Sequence, residues 1–282
     1  MFDVLTANLT YLKNARGIGM LKKFNIKYDK DNFWNEYWKT FKVDPKEFKQ
    51  LDIYPIKMAL KYTNKKDKIL ECGFGGGRVI SHLSYSGFTN VIGVENDEQI
   101  VRLVAQTYPN LDVRIGNILD LQFGDSTFDT VLCFGVIGGL EEEISKAITE
   151  LKRVLKPNGI LVVSAISDNF ARKIQRYISR FNSLDTNFYS WYGTPQEWIN
   201  YFESEGLKLI EYDLAVSRYS IFYWAPFFRS YFANTNLSKA RVDEREFKLN
   251  PFGEILWLMH KYMFRRQLAM GATYVLKRNV VI

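Results

Sequence analysis

The chain has 282 residues, 47% of them hydrophobic and 24% charged, with a formal net charge of +7. That composition fits a folded globular chain with one large core or two smaller ones. The charge permits contact with nucleic acid or anionic lipid but argues for neither, because 31 acids are interspersed among 38 bases. Cys72 and Cys133 are the only cysteines, and both lie in apolar, strand-like runs. They read as buried thiols; neither a disulfide framework nor a metal site is expected. Asp3, Lys13 and Arg16 interrupt the opening residues, so no secretory signal is expected there. No apolar run approaches the roughly 20 residues of a membrane span, and the expected location is the cytoplasm.

Residues 1–50 are read as a helical cap. Lys22, Lys23, Lys27 and Lys30 alternate with apolar residues, and Phe33, Trp34, Tyr37, Trp38 and Phe41 recur at helical spacing. Residues 51–212 read as an α/β domain. Within it Lys68 to Cys72 is an apolar strand, followed by the glycine-rich turn Gly73-Phe74-Gly75-Gly76-Gly77 and a helical pattern with Val79, Ile80 and Leu83 on one face. Val91 to Val94 is the next strand, ending at Glu95, and Asp97 is placed to cap the helix that follows. Leu111 to Ile115 and Phe128 to Phe134 are further strands, and residues 142–154 form a helix. Lys156-Pro157-Asn158-Gly159 is a turn before a strand at 160–163. Five strands with intervening helices imply a parallel sheet covered on both faces. Thr194-Pro195-Gln196-Glu197 is a capping box with proline at the first helical position. Residues 207–212 and 273–276 read as late strands. Between them residues 213–271 form an aromatic-rich helical insertion, and 272–282 supply the final strand.

In an open parallel sheet, ligands bind beyond the carboxyl ends of the strands. Glycines in the first turn let backbone approach a ligand and adopt dihedrals that a Cβ forbids. Gly73 and Gly75 fit the dinucleotide spacing G-x-G-x-x-G, but its last position is Arg78. Glu71 sits two residues before Gly73. A carboxylate there repels a pyrophosphate and attracts a cation. S-adenosylmethionine carries an ammonium and a sulfonium and no phosphate, so the acid favours it over a nicotinamide dinucleotide. Glu95, eighteen residues beyond Gly77, can accept from two ribose hydroxyls. Asn117 can read an adenine edge, with Ile118 against the ring. Phe134 and Gly135 follow the fourth strand, beside the reactive end of such a cofactor.

These stretches together resemble the class I S-adenosylmethionine-dependent methyltransferases of the small-molecule type. The resemblance rests on Ile69 to Gly77, Val91 to Glu95, Gly116-Asn117-Ile118 with Ser126-Thr127-Phe128-Asp129, and Arg153 to Gly159. It covers residues 68–164 closely and extends loosely to 277. It implies a seven-stranded, mostly parallel sheet with an antiparallel last strand and helices on both faces. It also implies cofactor contacts at Glu71, Gly73, Phe74, Gly75, Gly77, Glu95, Asn96, Asn117, Ile118, Phe134 and Gly135. Glu71 would lie near the methionine ammonium, Glu95 would bind the ribose, and Asn117 stands where an Asp is usual at the adenine. Many relatives carry Glu-His after the fourth strand; here those positions are Gly138 and Gly139. No general base carries over, His82 reads as structural, and His260 is a weak candidate base in the insertion.

The expected function is methyl transfer from S-adenosyl-L-methionine to oxygen or nitrogen of a small molecule, sugar or lipid-linked glycan. The alternatives are a non-catalytic cofactor-binding subunit and a nucleic-acid methyltransferase. The latter lacks an Asn/Asp-Pro-Pro-aromatic motif, a Pro-Cys nucleophile and a broad basic face. Residues 219–264 are expected to form a lid over the acceptor site, with a homodimer contact or a peripheral membrane contact as the rival assignments.

Overall fold

A computed structural model describes residues 10–13, 19–27, 54–140, 143–170, 172–173, 187–215 and 250–279. Ten strands within them form one sheet. They are β1 (Thr10–Lys13), β2 (Gly19–Lys27), β3 (Ile69–Cys72), β4 (Val91–Glu95), β5 (Asp112–Ile115), β6 (Phe128–Cys133), β7 (Leu155–Ser167), β8 (Asn187–Gly193), β9 (Leu207–Ala215) and β10 (Gly271–Arg278). The order is β1-β2-β8-β7-β6-β3-β4-β5, with β10 joined to β7 and β9 joined to β10. The pairs β3–β4, β3–β6, β4–β5 and β6–β7 are parallel, and the C-terminal strands are antiparallel. The mostly parallel α/β architecture is the one expected.

The helices are α1 (Tyr54–Tyr62), α2 (Arg78–Tyr85), α3 (Glu98–Thr107), α4 (Ile144–Val154), α5 (Pro195–Ser204), α6 (Pro251–Tyr262) and α7 (Arg265–Leu268). Alternate residues of a strand face opposite sides of a sheet, and β10 shows both sides covered. Val275 lies in a core cluster with Ile56 and Met58 of α1, Ile80 and Leu83 of α2, and Val101 and Val104 of α3. Its neighbour Tyr274 meets Phe202 of α5 edge to face at 5.4 Å. Asp97 caps α3 by accepting the Gln99 N–H at 2.9 Å and the Ile100 N–H at 3.2 Å. The capping box of α5 forms: Thr194 N–H donates to Glu197 at 2.6 Å, and Glu197 N–H donates to Thr194 Oγ1 at 3.2 Å. The turn at 156–159 is a looped-out step within β7. Leu155 sits opposite Phe128 but Ile160 sits opposite Thr130, with Asn158 left-handed at φ 65°.

The amino-terminal region corrects one expectation. Where a helical cap was expected, residues 10–13 and 19–27 are strands, and β2 runs antiparallel to both β1 and β8. The lysine and apolar alternation from Lys22 onward suits a strand whose partner is β8, an aromatic-rich run that pairs well on a pleated surface. Gly193 of β8 makes room for this addition. A Cβ there would come within 2.7 Å of Leu21 and 3.0 Å of Trp198. The aromatic stripe at 33–41 lies outside the described residues. So does most of the expected lid, of which only 250–264 is described.

Arg153 fastens α4 to the loop after β5. Its guanidinium donates to Glu150 at 2.7 and 2.8 Å, to Asp125 at 2.8 Å, and to the carbonyls of Phe123 and Leu121 at 2.8 Å each. Removing it leaves both carbonyls and Glu150 short of donors. Arg153→Ala should lower the unfolding free energy by about 2–3 kcal/mol, with Arg153→Lys recovering only part, because an ammonium lacks the planar fork. Thermal denaturation of the two variants checks this.

The chain divides into two compact units. One comprises residues 1–165, 185–212 and 273–282; the other comprises 166–184 and 213–272.

Candidate cofactor site

Strand order reverses at β3. The chain adds β4 and β5 on one side, then returns to place β6 on the other. Crevices form at such switch points beyond the carboxyl ends of the strands. Cys72 and Cys133, the last residues of β3 and β6, sit opposite one another. Both are free, buried thiols. Burial pushes Cys133 up to about 12, so neither is a nucleophile near neutral pH. The two segments that leave these strands are the glycine turn and residues 134–140.

β3 buries an acid. Ile69, Leu70 and Cys72 are fully buried, and Glu71 is 2% exposed. The strand is paired on both sides, and the Glu71 side chain is almost wholly shielded from water. One carboxylate oxygen, Oε2, has no hydrogen-bond partner among the described residues. The Ile80 N–H and the charge of Arg78 favour the ionised form, but burial outweighs them and pushes the carboxyl up to about 8; the nearby charge of Glu95 acts in the same direction. A buried carboxyl held in this way is costly for the fold. It becomes favourable when a cation sits against it.

The turn after β3 needs its glycines. Gly73, Gly75 and Gly77 have φ values of 76°, 50° and 78°, a region costly to residues with a Cβ. Gly73 N–H donates to the Val94 carbonyl at 2.8 Å, and a Cβ on Gly73 would overlap Val136 Cγ2. The glycine turn and the segment after β6 are therefore in direct contact. Phe74 is 4% exposed and packs in the core, so only its backbone is left to meet a ligand.

Glu95 ties the turn to β4. It is half-buried at the strand end. Oε2 accepts the Gly75 N–H at 3.0 Å, and Oε1 accepts the Asn96 N–H at 2.8 Å. Burial raises its carboxyl above the usual range against these bonds. Each oxygen keeps a lone pair for a further donor. Asn117 is exposed beyond β5, and its side-chain oxygen accepts the Leu119 N–H at 2.9 Å. With the oxygen engaged, its amide NH2 is the group left to offer. Ile118 is buried beside it. Phe134 is half-buried, and Gly135 is exposed with φ 74°, its N–H donating to Ser164 Oγ at 2.8 Å. No atom of the described residues lies within 4 Å of where a Gly135 Cβ would stand.

The sequence-expected residues from Glu71 to Gly135 thus collect at the carboxyl ends of four neighbouring strands. His82 lies in the last turn of α2. His260 belongs to α6 in the other unit, and its side chain is outside the described residues. Sequence reading missed two neighbours of this site. Val136 closes over Gly73. Trp191 of β8, 2% exposed, donates from Nε1 to the Leu140 carbonyl at 3.3 Å and anchors the segment after β6. The aromatic run 188–192 was the available signal for that strand.

Residues 70–163 match a family described as a methyltransferase domain. A methyltransferase-like protein of Schizosaccharomyces pombe is 27% identical over 184 residues, which are 62% of this chain and 69% of that protein. A ubiquinone biosynthesis O-methyltransferase of Rickettsia typhi is 27% identical over 188 residues, 62% of this chain and 75% of that one. Methyltransferases that match at 31–35% identity do so over less than half of their own length. Among solved structures, an S-adenosylmethionine-dependent methyltransferase of Methanosarcina mazei superimposes with a TM-score of 0.55 at 17% identity, over 82% of this chain and 100% of that one. That likeness is one of fold.

The residues present fit the cofactor that this family uses. The unpartnered Glu71 oxygen suits its positive groups, the Glu95 oxygens suit hydroxyl donors, and the left-handed glycines let backbone come close. Residues 70–163 are similar to a methyltransferase domain, and S-adenosylmethionine is the cofactor that their site fits.

Proposed function

We propose that this chain methylates an oxygen or nitrogen atom of a small molecule. Glu71 then pairs with the methionine ammonium, Glu95 with the ribose hydroxyls, and Asn117 donates to a ring nitrogen of the adenine. Glu71, Gly73, Gly75 and Gly77 with the Phe74 backbone hold one side of the cofactor. Glu95 and Asn96 hold the ribose, and Ile118, Phe134 and Gly135 line the remainder. The observation that carries the reading is the buried carboxyl oxygen of Glu71 with no partner among the described residues, beside a glycine turn at the switch point. S-adenosylmethionine supplies a methyl group on a positively charged sulfur.

The chain's own part is alignment. Residues 134–140 are Phe-Gly-Val-Ile-Gly-Gly-Leu and carry no ionisable side chain. A segment of this kind can shape the approach of an acceptor and exclude water, but it cannot take its proton. An acceptor that is already nucleophilic near neutral pH fits it: an amine, or a hydroxyl acidic enough to ionise, such as a phenol. Fixing reactants in an attack geometry supplies a large part of the rate in such transfers. The O-methyltransferase named above supports the oxygen case, and a phenolic acceptor is the first class to try.

Two measurements test this. Glu95→Ala should weaken cofactor binding by about 1–3 kcal/mol, since ribose donors lose their acceptor; an unchanged affinity in a folded variant would leave Glu95 a purely structural clamp on the turn. A screen of phenols, amines and sugars with methyl-labelled cofactor should then show label transfer to a member of the first two classes. Label on sugars alone would overturn the acceptor reading. The demethylated cofactor failing to appear with any acceptor would point to a binding subunit.

A further inference from the structure

The second unit holds 13 Lys and Arg against 6 Asp and Glu, so the chain's formal +7 resides there in full. The first unit balances, with 25 of each sign. Bases and acids look interspersed along the sequence because the second unit is assembled from two separated stretches.

The same unit carries an uncovered apolar helix face. In α6, Phe252 is 74% exposed, Ile255 56% and Tyr262 71%, with Leu258 and Met259 exposed beside them and Met263 following at 68%. At 100° per residue these positions fall within an arc of about 140°, a single stripe along the helix. The opposite side is turned inward, with Gly253 buried and Trp257 half-buried. Asn250 caps the helix by accepting the Gly253 N–H at 2.9 Å, so it starts at a defined point. Beyond its end, Arg265 pairs with Asp213, and Arg266 is exposed. Exposed apolar patches of this extent mark interaction surfaces.

We infer that α6 lies along the surface of an anionic lipid bilayer, its apolar stripe sunk among the acyl chains and the exposed Arg266 just past its end against the headgroups. Charge decides between this and self-association. Two copies joined through α6 would bring together two units of the same strong positive charge. An anionic membrane neutralises that charge and buries the stripe at once. Among the described residues no helix is long and apolar enough to cross a membrane, so the contact is one of lying on the surface. At 12 residues the helix spans about 18 Å, enough for an interfacial contact. This inference does not depend on the acceptor.

The full-length protein is sedimented with vesicles of phosphatidylcholine alone, and with vesicles of an equal mixture of phosphatidylcholine and phosphatidylglycerol. Binding to the mixed vesicles should exceed binding to the neutral ones more than tenfold at low salt, and fall as salt is raised. The triple variant Phe252→Ser, Ile255→Ser, Met259→Ser should lose more than tenfold in binding to mixed vesicles while retaining cofactor affinity, which reports an intact fold. Arg266→Glu should weaken binding to mixed vesicles alone. Failure of the wild-type protein to sediment with mixed vesicles overturns the inference. So does equal binding by the folded triple variant. A concentration-dependent dimer that the triple variant dissociates, with no vesicle binding, assigns the stripe to self-association instead.

Discussion

Glu71→Gln is expected to make the ligand-free protein more stable at pH 8 and to weaken cofactor binding at least tenfold. The two effects share one cause. Burial raises the folded-state carboxyl from 4.5 to about 8. Between those values the unfolded chain has released its proton while the folded chain retains it, so folding binds a proton and stability falls as pH rises. Below about 4.5 the difference vanishes, and above about 8 it is constant. Its size is on the order of several kcal/mol, large beside the 5–15 kcal/mol typical of a whole domain. Glutamine fills the same space without titrating, so the variant should gain most at alkaline pH and nothing near pH 4. The loss of affinity follows because a cation no longer meets a carboxylate. In the wild-type protein, a cation against Glu71 stabilises the ionised form, so binding near pH 7 should release close to one proton. Calorimetry in buffers of different ionisation enthalpy reads that proton directly. A variant less stable at every pH, with unchanged affinity and the same buffer dependence, would remove Glu71 from the site.

Gly73→Ala and Gly135→Ala should separate the two uses of glycine here. Both positions are left-handed, at φ 76° and 74°, so each substitution costs about 1–2 kcal/mol in backbone strain. At Gly73 the new methyl also overlaps Val136, which adds about 1–3 kcal/mol of overpacking. The turn must shift, so both stability and cofactor affinity should fall sharply. At Gly135 the methyl meets no atom of the described residues within 4 Å. The stability loss should stay near the backbone value, while turnover falls because the methyl stands in space left for ligand. Denaturant titration with steady-state turnover distinguishes them. Equal stability losses, with full turnover in Gly135→Ala, would show that the space beside Gly135 serves no ligand.

Local signals made the parallel half of the sheet legible. Glu71 before three left-handed glycines, Glu95 at the end of the next strand, and Asp97 and Thr194 as caps are determined within a few residues of chain. The structure places each where its spacing implies. The amino-terminal strands were not legible, since β2 is held by β8, 160 to 170 residues away. The lysine alternation alone did not show that such a partner exists. Phe74 shows a different limit. Its position in the glycine turn reads as ligand-facing, yet its side chain is buried against Gly93, because a left-handed neighbour on each side turns it inward. The charge segregation was hidden for a topological reason, since residues 166–184 and 213–272 join only in three dimensions.

The acid-bearing glycine turn is expected to select a cationic sulfur nucleoside over a dinucleotide. Titration calorimetry of the purified chain with S-adenosylmethionine, its demethylated product and NADH tests it most directly. Saturable binding of the first two is expected, with proton release near pH 7, and no binding of NADH. Tight NADH binding with no response to either sulfur nucleoside would contradict it.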